Sequence, residues 1–255
     1  MSTPPPSSSS LRIVVHGAPG RMGTRLCALA MNDPSLALVG AVARAGSRAI
    51  HTPAAPGAVR IAEIASFPAD FRADVVIDFS SDAGAINALS LAQRAGAALL
   101  VGTTALSAAT LEALRQASTQ RAVLVASNTS RGVAVTAAIV QTAARLYGPA
   151  ADVSIVEAHH RAKKDAPSGT AIRLANAVKE GGLPLSDAQV VSIRGGDVIG
   201  EHTVRFAADG EYIEITHRAT SRDLFARGAL DAAKWLGSQP PGWWTMNDVL
   251  GLPAR

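Results

Sequence analysis

Over its first half the chain alternates short apolar, β-branched runs with longer stretches whose apolar residues recur every three or four positions. Residues 11–16 form the first run, and a glycine-rich turn follows. Helical periodicity then holds over 21–32, where Asp33-Pro34 stops it. Residues 36–43 predict a second strand, so the chain opens on a β-turn-α-β unit. Strands are predicted at 75–79, 97–101 and 123–126, and helices at 82–95 and 107–120, the latter with Ser107 as its cap. Short apolar strands alternating with helices imply an α/β fold with a parallel, doubly wound sheet. Residues 45–74 break the rhythm, because Pro53, Pro56, Gly57 and Pro68 predict mostly loop, with one short strand near Val59.

Beyond Val133 the pattern changes. An Ala-rich helix is predicted to about Leu146, ending at Gly148-Pro149. A strand over 153–157, a basic loop and a helix over 168–180 come next. Three strand-like runs at 189–194, 200–206 and 211–216, separated by Gly or Asp-Gly turns, read as antiparallel. Residues 222–236 return to helix. The expected organisation is a tail over 1–10, a dinucleotide-binding domain over 11–130, and an α+β substrate-binding and oligomerisation domain over 131–219. Residues 220–255 then return to the first domain.

Composition narrows the function. With 48% hydrophobic residues the chain can bury a substantial core, and its single cysteine, Cys27, leaves no intramolecular disulfide. No apolar run approaches the roughly 18 residues that span a bilayer, and no membrane role is expected. The Ser/Pro-rich start lacks the charged and apolar regions of a secretory signal and reads as a disordered tail. The net charge of +4 is mild and aromatics make up 4%, so nucleic-acid binding has little support. A modest positive field suits an anionic small molecule or a phosphate-bearing cofactor.

The turn His16-Gly17-Ala18-Pro19-Gly20-Arg21-Met22-Gly23 lies between the first strand and the first helix. Small residues here let the backbone approach a pyrophosphate, and the helix N-terminus favours an anion. Glycines kept only for a tight turn would give the same spelling; the place in an alternating fold favours a dinucleotide. An acid that bonds the ribose 2′-hydroxyl is expected at the end of the second strand, yet the sequence there is Val42-Ala43-Arg44. A guanidinium accepts a 2′-phosphate, so Arg44 points to NADPH, unless it is only a solvated surface residue.

The segment from Glu157 to Ala171, Glu-Ala-His-His-Arg-Ala-Lys-Lys-Asp-Ala-Pro-Ser-Gly-Thr-Ala, is the strongest signal. It sets His159, His160, Arg161, Lys163 and Lys164 just past a strand and then opens a helix with Ser168-Gly169-Thr170. Such a site can hold carboxylates and supply protons. Singly, each residue has a plain reading: an exposed histidine, a solvated lysine, an ordinary cap, a locally paired Asp165. A metal site is a poor alternative, because adjacent histidines diverge and no further ligand set is evident.

The same segment resembles the hallmark of the dihydrodipicolinate reductase family, and the likeness extends over nearly the whole chain. Gly17 to Gly23 is similar to the family's glycine turn. Asp78-Phe79-Ser80, Gly102-Thr103-Thr104 and the loop Ala126-Ser127-Asn128-Thr129 with Gly132 and Val133 resemble its nucleotide-side segments. The stretch Glu214 to Ala219 with Ser221-Arg222 is also typical. The resemblance implies a Rossmann-like domain that binds NADPH or NADH through Gly17, Ala18, Pro19, Gly20, Arg21, Met22, Arg44, Gly102, Thr103, Thr104, Ala126, Ser127, Asn128 and Thr129. It implies His159 as general acid and Lys163 as a second catalytic cation. His160, Ser168, Gly169 and Thr170 would hold a small cyclic imine dicarboxylate, in lysine and diaminopimelate biosynthesis. It further implies a cytoplasmic homotetramer. The chain departs from the family at Ala43, where many members carry an acid, at Thr129, where many carry an aromatic, and in short connections over 45–74 and near 194–198.

Two other readings compete. A different two-domain amino- or imino-acid dehydrogenase shares the glycine turn but lacks the histidine segment. A non-catalytic NADPH sensor would lack the complete catalytic set present here.

Overall fold

The computed structural model describes residues 10–252, so the tail expected over 1–10 lies, apart from Ser10, outside the described residues. The chain divides into two compact units. One is built from the chain up to Thr129 and again from Ala226 onward, and the other spans Ser130–Phe225.

In the first unit, β1 (Leu11–His16) pairs in parallel with β2 (Leu36–Val42) on one side and β4 (Val75–Asp78) on the other. β3 (Ile61–Ala62) extends the sheet beyond β2. β5 (Ala98–Val101) and β6 (Ala122–Val125) follow β4, and β11 (Gly242–Trp244) adds an edge from the end of the chain. The order is β11-β6-β5-β4-β1-β2-β3, all parallel. Helices α1 (Arg21–Ala30), α2 (Asp82–Ala95) and α3 (Ala108–Ser118) make the crossovers. Strands covered on both faces must be apolar throughout, and Ile13, Val14, Val15, Val75, Val76 and Ile77 are fully buried. Ser81 and Ser107 cap α2 and α3 through the backbone N–H groups of Gly84 and Thr110. Strand order reverses between β1 and β4, so their carboxyl ends flank the crevice where such sheets bind ligands. α6 (Asp223–Leu236) returns the chain to this unit, where its Lys234 pairs with Asp33. The expected strand near Val59 is β3, two residues further on, followed by a short 3-10 turn at Ile64–Ser66.

The second unit holds α4 (Arg131–Tyr147), β7 (Asp152–His159), α5 (Gly169–Glu180), β8 (Val190–Arg194), β9 (Glu201–Ala208) and β10 (Glu211–Arg218). Its sheet runs β10-β9-β7-β8. β9 pairs antiparallel with both β7 and β10. The expectation that all three late strands are antiparallel is corrected at β8, which pairs in parallel with β7. The chain leaves β7, crosses over through α5 and returns in the same direction, as a helical connection requires. α4 and α5 cover one face, where Val140, Leu174 and Val178 share a core with Val153, Ile155, Val204 and Phe206. Residues alternating with these leave Val156, Val191, Ile193 and Tyr212 exposed.

Candidate active site

The glycine turn of the first unit is built by close approach. Gly17 has φ +80°, and a Cβ there would lie 2.4 Å from the carbonyl oxygen of Phe79. A Cβ on Gly23 would lie 2.2 Å from the carbonyl oxygen of Gly17, so only glycine lets α1 begin this near the turn. No side chain caps α1 at Gly20 and no acid stands in its first turn. A helix start without a side-chain cap among the described residues is suited to an anion. Beneath the turn the buried Asp78 carboxylate accepts from Ser80 Oγ at 2.5 Å and Thr103 Oγ1 at 2.6 Å, and lies 2.7 Å from His16 Nδ1. This network ties the carboxyl ends of β1, β4 and β5 together.

A cleft of about 890 Å³ opens beside the turn. Of the residues expected to hold a nucleotide, Gly17, Pro19, Gly20 and Arg44 line it, with His16, Phe79, Ser80 and Ser81. Ala18 is fully buried, while Arg21 and Met22 open α1. Gly102-Thr103-Thr104 and Ala126-Ser127-Asn128-Thr129 follow β5 and β6 at the same end of the sheet but do not line this cleft. The Thr103 hydroxyl is committed to Asp78 and to the Ser80 N–H. A glycine cradle, an uncapped helix start and a cleft of this size fit a dinucleotide.

In the second unit, β7 carries Glu157 and His159 on one face to its end. Glu157 and His159 are both buried. His159 Nδ1 lies 2.5 Å from one Glu157 oxygen. Arg194, at the end of β8, donates to both oxygens of Glu157 at 3.0 and 2.7 Å, and the Ser168 N–H reaches Glu157 at 3.3 Å. Burial pushes the Glu157 carboxyl up, but Arg194, Ser192 and His159 outweigh it and hold it at about 2. Burial pulls His159 below the ordinary histidine value, Glu157 opposes this, and Lys163 and Arg194 add to the lowering.

Ser168 caps α5 through the Ala171 N–H at 3.2 Å, and its hydroxyl lies 3.1 Å from His202 Nε2. Gly169 and Thr170 begin the helix. Lys163 pairs with Asp165 at 2.9 Å, and Arg194 also donates to the Asp165 carbonyl at 2.7 Å. The loop that carries His160 and Lys163 is thus clamped to the strand bearing His159. His202 is buried, its Nδ1 without a hydrogen-bond partner among the described residues, and burial pulls it down to about 4, with His159 and His217 adding to the shift. The ligand atoms of Glu157, His159 and His202 lie within 4.8 Å of one another. This trio is a Glu/His set that sequence reasoning did not anticipate. Arg194, His159 and Ser168 already take up the Glu157 oxygens, so the set serves the protein's own hydrogen bonding.

Models of the dihydrodipicolinate reductase N-terminus and C-terminus match residues 11–129 and 132–250. The 4-hydroxy-tetrahydrodipicolinate reductase of Anaeromyxobacter dehalogenans is 42% identical, covering 94% of this chain and 98% of that protein. The chain belongs to the dihydrodipicolinate reductase family. The enzyme of the same description from Myxococcus xanthus is 40% identical over 95% of this chain and 98% of its own length. Among solved structures, a dipicolinate-bound dihydrodipicolinate reductase from Paenisporosarcina sp. TG-14 aligns with a TM-score of 0.69 at 20% identity, covering 92% of this chain and 97% of that one. That likeness supports the Rossmann-like first unit and the mixed-sheet second unit.

This reductase family member is an NAD(P)H-dependent oxidoreductase. Its residue pattern showed the histidine loop but not the residues that hold it. Arg194 and His202 lie 30 or more positions from Glu157 in sequence, and only strand pairing brings them to it. The alternation of His202 with Val204 and Phe206 does mark it as facing inward. Glu63, which also lines the cleft beside the glycine turn, was hidden in the stretch read as loop.

Proposed function

We propose that this chain reduces 4-hydroxy-tetrahydrodipicolinate to tetrahydrodipicolinate, using NAD(P)H and one proton and releasing water and NAD(P)+. Bound in the cleft, the dinucleotide supplies the hydride. His159 holds the proton that the ring takes up, and its tie to Glu157 fixes Nδ1 and leaves Nε2 to exchange it. Lys163, His160 and the start of α5 at Ser168-Gly169-Thr170 hold the two carboxylates, where ammonium and helix N–H groups offset their charge. No metal enters this scheme.

The observation that carries the reading is the Arg194–Glu157–His159 chain of hydrogen bonds beside the start of α5, in a chain of this family. Arg44 and the missing acid at Ala43 favour NADPH over NADH. The exposed apolar face of the second sheet supports a homotetramer built through that unit. No helix among the described residues is long and apolar enough to cross a membrane, and we assign the enzyme to the cytoplasm. Loss of the NADPH absorbance band on addition of the cyclic imine tests the activity. Absence of turnover by folded, nucleotide-bound protein would reject it.

A further inference from the structure

We infer that Glu63 sets how strongly the nucleotide cleft discriminates between phosphorylated and unphosphorylated ribose, supplying from just past β3 the carboxylate that β2 lacks. The inference rests on the reading of the cleft as the dinucleotide site. β2 runs into Ala43 and Arg44 with no acid. β3 lies parallel beside it, with Ala41 abreast of Ile61 and Val42 abreast of Ala62, and the Ala43 N–H donates to the Ala62 carbonyl at 3.0 Å. The residue that follows β3 is Glu63, so the register brings a carboxylate level with the position from which one is missing.

The side chain then reaches across the end of β2. Glu63 Oε1 accepts from the Gly46 N–H at 3.0 Å. Gly46 has φ +70° and lies in the turn closed by the Ser47 N–H on the Arg44 carbonyl at 3.2 Å. Glu63 and Arg44 both line the cleft with Ala43, Ala45 and Ser47, and Glu63 is the one acid lining it among the described residues. In sheets of this kind the side chains at the end of the second strand read the ribose 2′ position. Here that place receives one positive and one negative charge. A carboxylate accepts from a ribose hydroxyl and repels a phosphate dianion, whereas a guanidinium favours the phosphate. Arg44 and Glu63 therefore act in opposition, and the NADPH preference is smaller than Arg44 alone would give.

Glu63→Gln separates charge from structure, because it keeps an acceptor for the Gly46 N–H and removes only the negative charge. Dissociation constants for NADPH and NADH are measured by nucleotide fluorescence in the wild type, Glu63→Gln and Arg44→Ala. The expected result is a roughly 3- to 10-fold rise in the NADPH-to-NADH affinity ratio for Glu63→Gln, shrinking as salt is raised. A fall in that ratio is expected for Arg44→Ala. If Glu63→Gln changes both affinities by the same factor, or neither while Arg44→Ala lowers the ratio, Glu63 only pins the turn and the inference is overturned. If both variants leave both affinities unchanged, the nucleotide does not occupy this cleft, and the cleft reading falls with it.

Discussion

His159 Nδ1 lies 2.5 Å from a carboxylate oxygen of Glu157 that is itself gripped by Arg194. The carboxylate favours the charged imidazole, while burial disfavours it more. A general acid works in its protonated form, so its rate contribution falls as pH rises through its pKa. Glu157→Gln removes the favourable charge and lowers that pKa further. The high-pH limb of the kcat profile should therefore move to lower pH. The variant also leaves the Arg194 guanidinium without its ion pair, at a cost of about 3–5 kcal/mol of stability. The comparison is made on folded protein at saturating substrate, and an unmoved limb would reject the coupling.

His159→Gln should lower kcat by ~10²–10⁴ and leave nucleotide affinity unchanged. Steady-state kinetics with a parallel nucleotide titration measures both. A kcat near that of the wild type would remove His159 from proton transfer.

His202 should make the second unit acid-sensitive. Its folded value is pulled from 6.5 to about 4, so the folded state keeps it neutral where the unfolded chain protonates it. A depressed folded pKa gives stability that is present above 6.5 and lost as pH falls towards about 4. The full shift corresponds to on the order of 3 kcal/mol. Urea unfolding at several pH values should show a smaller loss across this window for His202→Phe than for the wild type. Parallel stability curves would contradict it.

How far these features were legible from sequence depends on the range of the interaction that makes them. The strands of the first unit are buried on both faces, so each announces itself as an apolar run between turn residues. Gly17 and Gly23 are legible because local backbone approach forbids any other residue. The direction of β8 was not legible, because a short alternating run such as 190–194 carries no record of its partner. Glu63 escaped notice for the same reason: β3 is two residues long, and its meaning comes from its register with β2. Lys163 and Asp165 were each visible as charges, but their pairing depends on the fold of the loop between them.

The outer face of the second sheet should be an interface between copies of this chain. Val156, Val191 and Ile193 are 41%, 50% and 51% exposed on neighbouring parallel strands, a costly arrangement for a monomer in water. Light scattering should report a homotetramer at micromolar protein. Ile193→Glu should shift it to smaller species without unfolding it, since the side chain lies outside the core. An active wild-type monomer of 26.1 kDa would refute this.

Ala43→Glu should move the enzyme towards NADH. It adds an acid at the end of β2, beside Arg44 and level with Glu63, where a 2′-phosphate would be repelled. The wild type should favour NADPH in kcat/KM by roughly 10-fold or less, because Glu63 already opposes Arg44. Equal or better wild-type use of NADH would overturn the preference while leaving the family assignment intact.

The dicarboxylate cradle makes the last prediction. Lys163 is held by Asp165, and the same short loop passes from His160 to the start of α5. Lys163 holds the Asp165 carboxyl below its ordinary range, so that carboxylate keeps its charge at neutral pH. A ligand carboxylate must compete with Asp165 for the ammonium or share it. Pyridine-2,6-dicarboxylate, planar and doubly charged, should therefore bind competitively with substrate. Lys163→Ala should weaken it by roughly 10- to 100-fold, the range of a charge-assisted contact. Asp165→Asn should act the other way, freeing the ammonium and tightening the inhibitor if Asp165 is a competitor. Calorimetric titration of the three proteins reads both effects. Unchanged inhibitor affinity in Lys163→Ala would place the carboxylates elsewhere, whatever the outcome for Asp165→Asn.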